Sequence, residues 1–152
     1  MNDPAIINFL RYDDLLTTSG QPNDAQLDEL KALGVAHVIN LALHTHEQAL
    51  PDEAASVAAR GMTYTHIPVA FDNPAEADFT AFCAAMASAG DAPVHVHCIM
   101  NWRVTAFLYR YQRDVLGMDE RQARAQMERV WNPSESDDPR FPVWAEFIAP
   151  KA

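Results

Sequence analysis

The chain has 152 residues, 49% hydrophobic and 21% charged, a composition that argues against disorder and suffices for one buried core. Twenty-one acids against eleven Lys and Arg leave a net charge of −10 at pH 7, which argues against a nucleic-acid or anionic-membrane surface, since phosphate backbones are bound through clustered bases. No apolar run reaches the ~18 residues of a transmembrane helix, Met1-Asn2-Asp3-Pro4 lacks the basic-then-apolar order of a secretory leader, and the two cysteines, Cys83 and Cys98, make neither a CxxC pair nor a disulfide framework. These features predict a single cytoplasmic domain over residues 1–152, with no nucleic-acid or membrane partner.

In chain order, residues 5–10 (AIINFL) read as a short apolar strand and residues 15–18 as another, followed by the turn cluster Thr18-Ser19-Gly20-Gln21-Pro22. Asn23 or Asp24 caps a helix carrying Leu27, Leu30 and Leu33, which Gly34 ends. The continuous apolar run over residues 35–43 suits a strand buried on both faces. A second, alanine-rich helix is expected over residues 47–60, then a strand over residues 62–69. Asp72-Asn73-Pro74 makes a turn into a helix over residues 75–89. Residues 94–98 (VHVHC) form the next strand, and helices follow over residues 102–116, 119–130 and 142–149. Strand–helix alternation, three times over, implies an α/β sandwich with a mainly parallel central sheet of four or five strands flanked by helices. In such folds ligands sit beyond the carboxyl ends of the strands.

One segment at such an end carries chemistry: His97-Cys98-Ile99-Met100-Asn101-Trp102-Arg103, leaving a buried strand and entering a helix N-terminus. Successive N–H groups there point at one spot, and the helix dipole adds positive potential. The same donors that stabilise a Cys98 thiolate bind a tetrahedral oxyanion, and Arg103 can grip two of its oxygens. Thiolate, cradle and arginine describe nucleophilic attack on phosphorus or sulfur. The segment also fits a buried free cysteine at a strand end, with Arg103 in a surface ion pair. Trp102, inside the loop, is placed to wall the pocket.

His-Cys followed shortly by Arg, after a Val-x-Val strand, resembles the phosphate-binding loop of cysteine-dependent protein tyrosine and dual-specificity phosphatases. Thr18-Ser19-Gly20-Gln21-Pro22, Leu30-Lys31-Ala32-Leu33-Gly34-Val35, Val38-Ile39-Asn40-Leu41 and His66-Ile67-Pro68-Val69 are similar to a bacterial subgroup of small phosphatases in this family. The likeness covers about residues 15–111 and implies the cysteine-phosphatase fold. Cys98 is then the nucleophile that forms a phosphocysteine. The N–H groups of Ile99, Met100, Asn101, Trp102 and Arg103 cradle phosphate, Arg103 grips it, and His97 supports the loop. Asp72, 26 residues before Cys98, is the general acid and then base, with Glu76 and Asp78 as alternatives. Thr105 is placed to donate to the departing sulfur. Ser19 and Gln21 read as turn residues that can also reach the rim.

The chain departs from that signature in having four rather than five residues between cysteine and arginine. It also lacks the loop glycine, with Asn101 the nearest in role because asparagine tolerates left-handed geometry. Val104 replaces the hydroxyl residue expected after the arginine. The four-residue spacing resembles rhodanese-type sulfurtransferases, whose short cradle holds a persulfide; a member of the fold that binds anions without turnover is a third reading. His44-Thr45-His46 lies on the same side of the sheet, but no metal-ligand spacing accompanies it. The expectation is a phosphomonoester hydrolase without metal or organic cofactor. Its partners would be a phosphorylated small molecule or a phosphoprotein, with phosphate- or sulfate-like anions held in the loop.

Overall fold

Among the described residues, four short runs rich in Val, Ile, Thr and His, and a fifth, Leu10-Arg11-Tyr12-Asp13, become five strands: β1 Leu10–Asp13, β2 Leu16–Ser19, β3 His37–Asn40, β4 Thr63–His66 and β5 Val94–His97. Six α-helices surround them: α1 Asp24–Ala32, α2 Glu53–Ala59, α3 Glu76–Ala89, α4 Trp102–Arg110, α5 Glu120–Glu128 and α6 Pro142–Ile148. These elements come from a computed structural model that describes residues 3–150; Met1, Asn2, Lys151 and Ala152, which the expectations for the leader and the single domain include, lie outside the described residues. The strand order is β1-β2-β5-β3-β4, with only the β1–β2 pair antiparallel. The architecture is the mainly parallel α/β sandwich that the alternation implies.

β5 lies between β2 and β3, with His97 opposite Ser19 on one side and Asn40 on the other. Its side chains alternate across the sheet. Val94 and Val96 join the larger core with Ile39, Phe82, Phe107 and Trp144. Val38 instead joins the smaller core with Leu27 and Leu30 from α1, Val57 from α2, and Met62 just before β4. His95 and His97, pointing away from Val94 and Val96, face that second side. The carboxyl ends of β3, β4 and β5 open on one edge, where residues 41–46, 69–72 and 97–103 meet.

Several boundaries differ from the sequence expectation, each for a local reason. Residues 5–9 are not a strand: Phe9 N–H closes a turn on the Ile6 carbonyl (3.1 Å) and Asn8 has φ 50°. Ile6 plugs the smaller core there instead of pairing. The second helix begins only at Glu53, capped by Asp52; Pro51 has no N–H and disfavours helical geometry at Leu50. The helix after the cysteine loop is α only through Arg110 and widens into a π turn, Tyr111–Val115. Asn23 caps α1, in a reciprocal pairing with Gln26. No helix among the described residues is long and apolar enough to cross a membrane.

Candidate active site

After β5 the chain turns sharply into α4, and every carbonyl of the turn is held from outside. His97 Nδ1 lies 3.0 Å from the Cys98 carbonyl. The Ile99 carbonyl accepts from Gln21 N–H (3.0 Å), that of Met100 from Asn8 Nδ2 (2.9 Å), and that of Asn101 from the Thr105 hydroxyl (2.9 Å). In a trans peptide the C=O and the following N–H point in opposite directions. Four carbonyls pinned outward therefore turn the N–H groups of Ile99, Met100, Asn101 and Trp102 toward the inside of the turn. None of these four donates to an acceptor among the described residues, and α4 adds its N-terminal potential.

Asn101 makes the tight ring possible. Its φ of 68° is left-handed, as the missing loop glycine required, and its side-chain amide donates to the Asn8 carbonyl (2.8 Å) and the Thr18 hydroxyl (2.9 Å). The Asn8 and Asn101 side chains thus cross-link the cradle to the chain before β1. Gly20 completes the seat: a Cβ there would stand 2.2 Å from the Ile99 carbonyl oxygen.

Cys98, Ile99, Met100, Trp102 and Arg103 line a cavity of about 470 Å³ together with Asp72. Cys98 is buried. Arg103 is buried as well, and its Nη1 donates to the Val69 carbonyl (2.8 Å). Asp72 is exposed on a turn closed by Asn73 N–H to the Ala70 carbonyl (3.1 Å). Trp144 Nε1 donates to the neighbouring Phe71 carbonyl (2.6 Å) and fixes that turn against the core. Phe71, Trp102, Trp131 and Phe141 form an aromatic wall, with Trp102 stacked on Trp131 at 5.5 Å.

The other expected residues take different places. His97 and Asn101 are fully buried behind the cradle. Thr105 gives its proton to the Asn101 carbonyl and accepts from Trp131 Nε1 (3.0 Å), so the expected donation to sulfur is not made; the hydroxyl supports the first turn of α4. Glu76 is paired with Arg110 (2.7 Å) and Asp78 accepts from Ala75 N–H (3.1 Å), which leaves Asp72 as the acid facing the cavity among the three considered. Ser19 and Gln21 are buried and not on the rim: Ser19 bonds His95 Nε2 (2.8 Å) and Gln21 bonds Glu53 (2.9 Å). His46 lines the cavity, whereas His44 stacks on His66 at 3.7 Å. No group of three or more His, Cys, Asp or Glu among the described residues could hold a metal ion.

Two groups that the structure brings to the candidate site carry no signal in the sequence. Glu53 is buried with Oε2 2.6 Å from His97 Nε2. Burial pushes its carboxyl up, but His97 and the Gln21 amide outweigh that and hold it below its ordinary 4.5. The other is Arg140, at the cavity mouth. Glu53 stands 44 residues before His97 and Arg140 in a C-terminal loop, so no local pattern ties either to the cysteine.

The profile of the family described as "Beta-lactamase hydrolase-like protein, phosphatase-like domain" matches residues 9–109. The Beta-lactamase hydrolase-like protein of Agrobacterium fabrum is 37% identical over 92 residues, covering 59% of this chain and 21% of that protein. The chain spans about a fifth to a third of the length of the curated relatives it matches. A DUF442 protein of Shewanella putrefaciens CN-32 superposes with a TM-score of 0.79 at 34% identity, over 95% of this chain and 92% of that one. P. aeruginosa TpbA, in complex with pTyr, shares the fold at TM-score 0.72 and 21% identity, over 97% and 86% of the two chains. The cysteine turn thus sits in a tyrosine-phosphatase-like fold, and the chain belongs to the phosphatase-like domain family of the Beta-lactamase hydrolase-like proteins.

Proposed function

We propose that the protein is a cysteine-dependent phosphatase that hydrolyses phosphomonoesters through a phosphocysteine intermediate. One observation carries the reading: four pinned carbonyls turn the cradle N–H groups inward, on a cavity that Cys98, Arg103 and Asp72 share. The fold held in common with TpbA, whose structure contains pTyr, supports the same substrate chemistry.

Cys98 Sγ attacks phosphorus, the ester P–O bond breaks, and Asp72 gives its proton to the leaving oxygen. Water then attacks phosphorus and breaks the S–P bond, while Asp72 takes the proton back. The N–H groups of residues 99–103 and the Arg103 guanidinium carry the negative charge that spreads over the equatorial oxygens. Val69 holds Arg103 by one Nη1 proton, and Nε and Nη2, which make no hydrogen bond with a described residue, supply the two-point grip.

The test is p-nitrophenyl phosphate hydrolysis at pH 5.5 by the wild type, Cys98→Ser and Asp72→Asn, with acid-quenched wild-type protein read by mass spectrometry for phosphate on Cys98. Nitrophenol release that vanishes in Cys98→Ser and falls about 10²–10⁴-fold in Asp72→Asn is the expected result. No release above the Cys98→Ser background overturns the reading. Thiocyanate formation from thiosulfate and cyanide in its place would assign the cradle to sulfur transfer.

A further inference from the structure

The cavity is far larger than a phosphate needs: about 470 Å³ falls in the ~300–1,000 Å³ range of pockets that enclose a whole small molecule. Beyond the cradle its walls are mainly apolar, with Leu43, Phe71, Met100 and Trp102 prominent. At the mouth stands a second guanidinium. The Arg140 Cζ lies 5.5 Å from the Trp102 ring centre and 5.6 Å from that of Phe71, so the group spans the gap between the cradle and the turn bearing Asp72. Asp138 fixes it there: Arg140 Nε donates to Oδ1 (3.1 Å) and Nη2 to Oδ2 (2.8 Å). That fork uses one edge of the guanidinium. Nη1 makes no hydrogen bond with a described residue, and the side chain is 58% exposed.

We infer that Arg140 is a specificity-determining residue: its Nη1 edge binds a second anionic group on the leaving-group side of an aromatic phosphomonoester. The assignment rests on the phosphatase reading and adds the substrate class to it. Phe71 and Trp102 touch each other, ring centres 5.9 Å apart, and form one wall against which a flat leaving group lies. An acidic substituent on that ring, a carboxylate or a second phosphate, then meets an arginine already held by stacking and by Asp138, so little side-chain entropy is lost on binding.

The experiment compares kcat/KM for 4-carboxyphenyl phosphate and phenyl phosphate in the wild type and in Arg140→Gln. The wild type is expected to favour the carboxylated ester about tenfold, a charge-assisted hydrogen bond reduced by partial exposure, and the ratio to fall close to one in Arg140→Gln. Arg140→Lys, which keeps the charge without the fork, should retain part of the preference. A wild-type ratio near one, or an unchanged ratio in Arg140→Gln, overturns the subsite and leaves the phosphatase reading standing. If neither ester is hydrolysed, the phosphatase reading falls, and calorimetric binding of the two esters to Cys98→Ser decides the subsite, equal affinities overturning it.

Discussion

The Glu53 carboxylate and the His97 imidazole form a buried pair, with Oε2 and Nε2 2.6 Å apart, and they hold the cradle through the far side of the ring. His97 Nδ1 faces the Cys98 carbonyl, which only accepts, so Nδ1 bears a proton and donates it. The other Glu53 oxygen accepts from Gln21, whose own backbone N–H holds the Ile99 carbonyl. Two of the four pinned carbonyls therefore depend on one carboxylate.

Removing that carboxylate strands its partners. Glu53→Ala leaves the His97 ring and the Gln21 amide buried without an acceptor and should cost about 3–5 kcal/mol. Glu53→Gln can still face both partners and should cost about 1–3 kcal/mol. Urea unfolding at pH 7.5 separates the two; equal losses would mean that the pair is not what holds this side of the cradle.

Acid should destabilise the fold in two stages. Burial holds His95 well below its ordinary 6.5, and His37 and His66 are lowered by burial too. A histidine with a lowered native value stays neutral while its unfolded counterpart takes up a proton, so its contribution is complete above pH 6.5 and is lost as pH falls below it. For His95 the slope is about 1.4 kcal/mol per pH unit. Glu53 is held below 4.5, so its contribution is present above pH 4.5 and is lost as pH falls through its lowered value. The urea midpoint should start to fall near pH 6.5, steepen below pH 4.5, and keep m constant. A midpoint flat from pH 7.5 to 5 would show that these histidines are solvated.

What the sequence made legible was whatever lies close along the chain. His97, Cys98 and Arg103 fall within seven residues, and the strand-to-helix change around them fixes the site's position on the sheet. The left-handed Asn101 was readable because few residues other than Gly and Asn occupy that region. Partners far apart in the chain were not readable: nothing in the run from Glu53 to His97 marks one as the acceptor of the other. The AIINFL segment misled because apolar residues look alike whether they pair in a sheet or plug a core. There the outcome is set by Asn8, whose left-handed turn brings its amide to Met100. Thr105 was misplaced because its role depends on Trp131, which packs onto α4 from 26 residues away.

Asn101 combines a strained backbone with a cross-link, and two substitutions separate these. Asn101→Gly relaxes the φ of 68° but loses the bonds to the Asn8 carbonyl and Thr18. Asn101→Ala loses the bonds and adds about 1–2 kcal/mol of left-handed strain. Both should be destabilised, Ala by that much more than Gly. Thermal unfolding gives the difference; an alanine variant as stable as the glycine one would place the cross-link, not the backbone geometry, in control of the ring.

Gly20 tests the cradle from below without touching a side chain in the cavity. A methyl there would stand 2.2 Å from the Ile99 oxygen and 3.0 Å from its carbon, both backbone atoms that no rotamer change can move aside. Gly20 N–H also bonds the Ile7 carbonyl (2.7 Å), and Gln21 N–H the Ile99 carbonyl itself, so neither strand of this contact is free to retreat. Gly20→Ala should therefore push the Ile99 peptide toward the cavity and tilt the N–H of Met100, the donor on that same peptide plane. Loss of one oxyanion donor typically lowers turnover about 10²–10³-fold, so kcat for p-nitrophenyl phosphate should drop by that order while far-UV circular dichroism stays that of the wild type. Full activity with unchanged stability would mean that residues 20 and 99 can separate freely, and that the Met100 N–H does not serve the cradle.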